Sequence, residues 1–378
     1  MKKSVKMLLI GQKDGIGIKK QRNFLIKYIM KYIRIKDLVH RFILTRNFTL
    51  KRFLNLCLVF FQHSITKNSR VIGYPVELVI DPCNICVLHC PLCPTGQGRK
   101  DRIKGKMSFN DFKKIIDELG EYLYEIDLHN WGEPLLNEEI YDMICYAHKY
   151  DIKIDLSTTL NFFDEMKAER LIKSGLEHLI VSLSGTSQES YQRYHIGGKF
   201  NKVVEGTKKL IEMKKYLHIS TPVITWRFLV MKHNECEIAD ARKMAVELGV
   251  DELEVLRIHG DMGYELYWNK KEMTKEVTDW LPYNERYNLD RMKPCNFLWV
   301  QAVINWNGSV SPCCAIYPEA DDFGNIFEAG DFKKVWNNER YRNARKIIRQ
   351  KRINDSDVEN ICARCLINSG YGIIKKNT

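Results

Sequence analysis

Cys86, Cys90 and Cys93 follow a short apolar run at Val76–Ile80, and this grouping constrains the fold more than any other feature of the chain. The run reads as a buried strand, which makes the C-x3-C-x2-C segment a tight loop at a strand end. Thiolates are soft ligands that suit zinc and iron–sulfur clusters. Three of them on one loop can hold three irons of a [4Fe–4S] cube and leave the fourth iron open to a small chelating ligand. The competing readings are a zinc loop or three unrelated core cysteines. A zinc site calls for a fourth ligand at knuckle spacing, and His89, inside the loop, is directed away from such a site.

Further along, Asp127-Leu128-His129-Asn130-Trp131-Gly132-Glu133-Pro134 ends a second apolar strand. The cysteine triad followed by this segment resembles the radical S-adenosylmethionine (SAM) superfamily. The resemblance implies a partial barrel whose first strand precedes the triad. It also implies that Gly132, Glu133 and Pro134 form the element that receives the methionine ammonium of SAM. Glycine lets backbone carbonyls approach a ligand closely, and a carboxylate can pair with an ammonium.

At 378 residues the chain is long enough for one barrel-sized domain plus a smaller unit. Its twelve cysteines are grouped in motifs, which argues for metal rather than disulfides. The longest apolar stretch, near Phe53–Phe61, is too short to span a bilayer, and no signal peptide is expected. A cytoplasmic location follows as the default.

The net charge of +12 is uneven: residues 1–75 hold 17 Lys or Arg against Asp14 and Asp37, giving +15, so the remainder is −3. Within this arm Lys27, Lys31 and Arg34 recur at helical spacing among Phe24, Leu25, Ile29, Met30 and Ile33. Such a basic amphipathic helix suits a membrane surface, here the inner face, or an acidic partner. It equally suits a helix packed on the body with a solvated basic face. Nucleic acid is not expected, because no recognised binding fold accompanies the charge.

Beyond the triad, strand and helix signals alternate in the βαβ manner. Strands are expected near Val76–Asp81, Glu125–Asn130, Ile152–Ser157, His178–Ser184, Val223–Met231 and Glu252–Ile258. Helices are expected near Ser108–Tyr122, Glu138–Lys149, Phe163–Ser174, Asn201–Lys215 and Glu235–Leu248. The fold class is α/β, a partial (β/α)6 barrel followed by a small α+β cysteine-rich domain. The expected divisions are a basic arm at 1–75, a core barrel at 76–294 and an auxiliary domain at 295–378. Polar residues gather at the carboxyl ends of strands, where parallel barrels place function. Ser157, Thr159, Asn161, Ser182, Ser184 and Arg227 are the candidate SAM contacts, and helix capping is the competing role for Ser, Thr and Asn. Relatives often carry Asp where this chain has Ser184.

A second cysteine set comprises Cys295, Cys313 and the C-x2-C pair Cys362/Cys365. Between Cys295 and Cys313 lies an apparent hairpin with an Asn307-Gly308 turn, which brings those two cysteines together. This set resembles the auxiliary-cluster domains, called SPASM or twitch, that follow many radical SAM barrels. The resemblance implies a second [4Fe–4S] cluster on four thiolates, with Cys313 rather than Cys314 as ligand and no iron open to substrate. A zinc ribbon or a purely structural cluster is the competing reading. Cys57, Cys83, Cys145 and Cys236 are left over as structural or buried apolar residues.

The resemblance also implies a mechanism. SAM binds the open iron and is reductively cleaved to a 5′-deoxyadenosyl radical, which abstracts hydrogen from a substrate carbon. A reduced flavodoxin or ferredoxin would supply the electron. The single four-thiolate auxiliary cluster resembles that of aminocyclitol dehydrogenases in this superfamily, which implies oxidation of a small carbohydrate-like alcohol. Arg257, His259 and Asp261, at and after the sixth strand, are the candidates for facing substrate. The alternatives are modification of a peptide or protein, and a non-catalytic electron carrier, which would have no use for a SAM cradle.

Overall fold

In the computed structural model, which describes residues 48–64, 69–258, 280, 295–350, 352–353, 357, 359–368 and 373–374, the barrel strands follow one another in strict alternation with helices. The strands are β1 (Glu77–Ile80), β2 (Glu125–Asp127), β3 (Lys153–Thr158), β4 (His178–Ser182), β5 (Val223–Val230) and β6 (Glu252–Arg257). All neighbouring pairs from β1 to β6 are parallel. The intervening helices are α2 (Phe109–Leu119), α3 (Ile140–His148), α4 (Glu165–Lys173), α5 (Gln188–Tyr194), α6 (Phe200–Tyr216) and α7 (Ile238–Leu248), with α1 (Leu50–Ser64) before the first strand. The basic segment around Lys27–Arg34, together with His259 and Asp261, lies outside the described residues.

Local chemistry sets the helix ends. Ser108 accepts a hydrogen bond from Asp111 N ahead of α2, and Asp164 accepts one from Lys167 N ahead of α4. A capping box of Ser187 and Ser190 opens α5, and Gly249 ends α7 at φ 76°. Side caps of this kind are each worth about 1 kcal/mol. On α2 the apolar face of Phe112, Ile115, Ile116 and Leu119 is buried at the period of a helix against the sheet.

Two features depart from expectation. β2 stops at Asp127, because the chain leaves the sheet to pass beneath the cysteine loop. The sheet also does not end with the barrel. After α8 (Phe297–Val300), β7 (Gln301–Ile304) pairs in parallel with β1, from Glu77 opposite Gln301 to Ile80 opposite Ile304. β8 (Val310–Ser311) returns antiparallel, giving the order β6-β5-β4-β3-β2-β1-β7-β8. The expected hairpin exists, and its first strand is also the outer neighbour of β1. Short helices α9 (Ile326–Ala329), α10 (Phe332–Trp336) and α11 (Glu339–Gln350) follow, then α12 (Ile361–Asn368), with β9 (Arg352–Ile353) paired to β10 (Ile373–Ile374).

The chain divides into two compact units, 1–48 and 49–378, and α1 opens the second. Of the leftover cysteines, Cys83 is buried as expected, whereas Cys57 and Cys236 are exposed.

Candidate active site

The triad loop closes on itself after β1. Cys93 N donates to Cys90 O at 3.1 Å and Gln97 N donates to Cys93 O at 2.8 Å. Gly96 is obligatory, since a Cβ there would lie 2.5 Å from Cys90 N. The Gly-Glu-Pro segment is laced underneath. A Cβ on Gly132 would lie 1.9 Å from Cys83 O, and Glu133 N donates to Ile85 O at 2.9 Å. The lack of a side chain at Gly132 therefore permits close packing of two backbones.

The carboxylate of Glu133 is likewise committed to the protein. It is 3% exposed and accepts from Thr158 Oγ1 (2.7 Å), Thr159 Oγ1 (2.7 Å), Thr159 N (2.8 Å) and Leu135 N (3.2 Å). It ties the end of β3 to the loop after β2, so an ammonium facing it would have to displace these donors. Pro134 is buried at the first position of a short 3-10 turn, Pro134–Leu136.

The three thiols suit a cationic metal centre. Burial pushes Cys86 up to about 11, with Glu133 and Cys93 adding to the rise, and burial drives Cys90 further up, with Cys93 and Cys86 contributing. Burial raises Cys93 also. Three closely spaced buried thiols that resist ionisation alone ionise readily against iron, whose charge inverts the local balance. His195 Nδ1 lies 3.6 Å from Cys90 Sγ. Burial pulls that imidazole down to about 3, so it is neutral beside the sulfur.

Below the triad the strands present polar side chains to the lumen at every second residue. Buried parallel strands are ordinarily continuous apolar runs, so this alternation was the readable signal for residues that sequence reasoning missed. Asp155 ion-pairs with Lys153 at 2.8 Å and with His178 Nδ1 at 3.2 Å. His178 Nε2 lies 2.7 Å from Thr225 Oγ1, which donates to Glu252 at 3.2 Å. His178, Thr225, Glu252, Leu253 and Glu254 line a cavity of about 460 Å³. Burial opposes ionisation of Asp155, but His178 and Lys153 together hold it well below the usual carboxylate range. Asp127 differs: burial, then Asp155 and Glu125, push it up to about 7. His129 is pulled down to about 4 by burial and by nearby Arg227.

Among the candidate SAM contacts, Ser157 and Ser182 meet at 3.3 Å across β3 and β4, and Arg227 pairs with Glu254 at 2.6 Å. All three are half-buried and face the same lumen layer, as the register pairs Ser182 with Arg227 and Arg227 with Glu254. Thr159 is half-buried and engaged by Glu133. The other two candidates are structural in placement. Ser184 is fully buried and accepts from Leu229 N (3.2 Å). Asn161 donates to Tyr191 OH (2.9 Å) and accepts from Lys199 N (2.7 Å). Both side chains are hydrogen-bonded within the protein. Arg257 is the last residue of β6.

The second cysteine set converges. Burial raises Cys313 and Cys362 well above the ordinary thiol range, and Cys295 and Cys365 contribute to both. Burial pushes Cys365 up to about 12, with Cys295 adding, and burial raises Cys295 too. Cys362 and Cys365 stand three apart on α12, on one face. Asn305 N donates to Ser309 O at 2.8 Å and Gly308 takes φ 81°, the turn that carries the chain back to Cys313. Burial pushes Cys314 up to about 11, with Asp127 and Cys295 adding to the rise.

Arg102, 3% exposed, joins the two regions. It donates to Tyr317 O (2.6 Å) and Ser309 Oγ (3.2 Å) and ion-pairs with Asp322 (2.8 Å). Trp131 Nε1 donates to Ile316 O (3.3 Å), and its ring meets Tyr317 edge-on.

A half-buried thiol triad at the end of β1 and a second set of four half-buried thiols after the barrel are the features of a protein built around iron–sulfur centres. Residues 80–245 match the radical SAM superfamily, and residues 295–366 match the SPASM iron–sulfur cluster-binding domain. The chain belongs to the radical SAM superfamily and carries a SPASM region after its barrel. It is similar to the PqqA peptide cyclase of Gluconobacter oxydans, 23% identical over 285 residues, covering 70% of this chain and 76% of that protein. It is also similar to a tungsten-containing aldehyde ferredoxin oxidoreductase cofactor-modifying protein of Pyrococcus furiosus, 24% identical and covering 70% and 81%. Among solved structures, Streptococcus suis SuiB bound to precursor peptide SuiA superposes with a TM-score of 0.56, 17% identity, and coverage of 76% and 69%. That likeness establishes the fold. The protein is a radical SAM enzyme that uses SAM, a [4Fe–4S] cluster on the barrel and auxiliary iron–sulfur in the SPASM region.

Proposed function

We propose that the enzyme removes a hydrogen atom from a residue of a peptide substrate, with Cys86, Cys90 and Cys93 holding the SAM-binding cluster. The observation that carries this reading is the match to a peptide cyclase over 70% of this chain and 76% of that protein. When bound, the clusters supply the electron that cleaves SAM to methionine and a 5′-deoxyadenosyl radical and, at the auxiliary site, an acceptor for an electron leaving substrate. Cys295, Cys313, Cys362 and Cys365 hold the auxiliary cluster.

The chain's own side chains do the rest. Ser157, Ser182 and Arg227 form one polar layer able to donate to the carboxylate or ribose of SAM. Glu133, Asn161 and Ser184 hold the backbone of that cradle in place. His178, oriented by Asp155 and joined through Thr225 to Glu252, is placed on the cavity wall to accept the proton that an oxidation releases. Arg257, His259 and Asp261 stay as substrate-facing proposals. The electron donor is a flavodoxin- or ferredoxin-like protein, and the basic arm holds the enzyme at the inner membrane face from the cytoplasm.

A second reading, oxidation of a small alcohol, is favoured by the volume of the cavity, about 460 Å³, which is small-molecule sized. The two separate in one experiment. Reconstituted enzyme is given SAM, dithionite and anaerobic extract from deuterium-labelled cells, split by ultrafiltration. Deuterium should enter 5′-deoxyadenosine from the peptide fraction and cease after protease treatment. Transfer confined to a protease-resistant small-molecule fraction sinks the peptide reading in favour of the alcohol.

A further inference from the structure

Helix α1 exposes apolar side chains on one side and buries a mixed set on the other. The side it turns inward carries Arg52, Asn55 and Gln62, which are 2%, 6% and 6% exposed, together with the buried Leu56 and Val59. Arg52 donates to Gly120 O at 3.0 Å. Asn55 accepts from Tyr74 N at 2.8 Å, and Gln62 accepts from Gly73 N at 2.9 Å. These polar groups bind the loops that flank the barrel.

The side turned outward is apolar. Leu50, Leu54 and Phe61 are 67%, 57% and 48% exposed, and the exposed Cys57 sits between them. At the helical period these four residues fall on one stripe, with Phe60 exposed at its margin. Other exposed apolar residues, such as Met166 and Val246, are single, and singletons are ordinary on protein surfaces. A stripe running the length of a helix is a contact surface.

Charge identifies what it contacts. Residues 1–47, immediately before the helix, contain thirteen Lys or Arg and only Asp14 and Asp37 as acids, a net +11. No described helix is long and apolar enough to cross a membrane. An apolar helix face joined to a polybasic segment is the pairing that holds a protein stably in the plane of an anionic bilayer, where neither signal alone suffices. We infer that the outward face of α1 inserts into an anionic membrane surface. This goes beyond the substrate reading and does not depend on it.

The full chain is tested with sucrose-loaded vesicles of phosphatidylcholine and phosphatidylglycerol, at salt moderate enough for the arm's charge still to act. The double substitution Leu54→Glu/Phe61→Glu should weaken co-sedimentation by at least about tenfold, since it places two charges where apolar contact is needed. Unchanged 5′-deoxyadenosine formation in that variant shows that it is folded. Separately, Phe61→Trp should report insertion by a blue shift of its emission on adding vesicles. Equal sedimentation of wild type and double variant overturns the inference, as does an unshifted tryptophan. So does a wild-type dimer that ignores vesicles and that the double substitution turns into a monomer, since the stripe would then be an interface between copies.

Discussion

Cys86, Cys90 and Cys93 come from one loop at the end of β1. Cys295, Cys313, Cys362 and Cys365 come from the approach to α8, the segment after β8 and the helix α12. The first set is fixed by local turns and by Gly96, so its geometry is written into one short stretch. The second exists only once the hairpin, the barrel edge and a distant helix have met. Ligand number differs in the same sense. Three thiols leave an iron able to take a ligand, whereas four saturate the cluster and suit it to electron transfer. Within one molecule, the reactive site is local and the supporting site is tertiary.

The largest test of that contrast removes the local site. Replacing Cys86, Cys90 and Cys93 by Ala should abolish 5′-deoxyadenosine release under dithionite while the auxiliary cluster's iron stays bound. Residual SAM cleavage in the triple variant would overturn the assignment. Next, Cys362→Ala/Cys365→Ala should lose the auxiliary iron, keep SAM cleavage and hydrogen abstraction, and lose product. Cys313→Ala should behave the same way, whereas Cys314→Ala should keep its full iron content. Iron analysis that reverses the last two would exchange their roles.

A smaller effect concerns the seam between the sites. Arg102→Met leaves Asp322 as a buried lone carboxylate and should lower unfolding stability by about 3–5 kcal/mol in urea titrations of the apo protein. Adding Asp322→Leu should recover most of that. No recovery would mean that Arg102 acts through Tyr317 and Ser309 alone. The smallest effect is at Asp127, the last residue of β2. Its folded-state pKa, about 7, lies above its unfolded value because of burial and then Asp155 and Glu125. The stability linked to it is full at low pH and is lost as pH rises through about 7. Asp127→Asn should therefore raise the Tm over wild type by a few degrees at pH 8 and by little at pH 5. An equal gap at both pH values would show that the charge is not the cause.

How much of this was legible follows the same division. The triad, the six barrel strands and the hairpin turn could be read from sequence, because each depends on neighbours within a few residues. Helix α5 was missed because its Ser187 and Ser190 capping signal sits between loop-like residues. The roles of Glu133, Asn161 and Ser184 could not be read, since a polar residue at a strand end looks the same whether it faces a ligand or holds a backbone. The Asp155–His178–Thr225–Glu252 chain spans four strands, and only their register brings it together. Helix α1 was not readable for a related reason: tertiary packing, not composition, buries Arg52, Asn55 and Gln62 beside Leu56 and Val59 and leaves Leu54 and Phe61 outside.

The parallel pairing of β1 with β7 also has a temporal side. Ile80 and Ile304 lie side by side although most of the chain separates them. At synthesis rates of about 5–20 residues per second, β1 waits roughly 10–40 s for its outer neighbour to leave the ribosome. Throughout that interval one edge of the strand that leads into the triad is bare. Contacts this distant in sequence also slow folding once the chain is free. Iron delivered before β7 docks would meet an open loop in an unfinished sheet. The order of events that protects the thiols is strand closure first and cluster loading second, which makes the last quarter of the chain the timekeeper for its first reactive site.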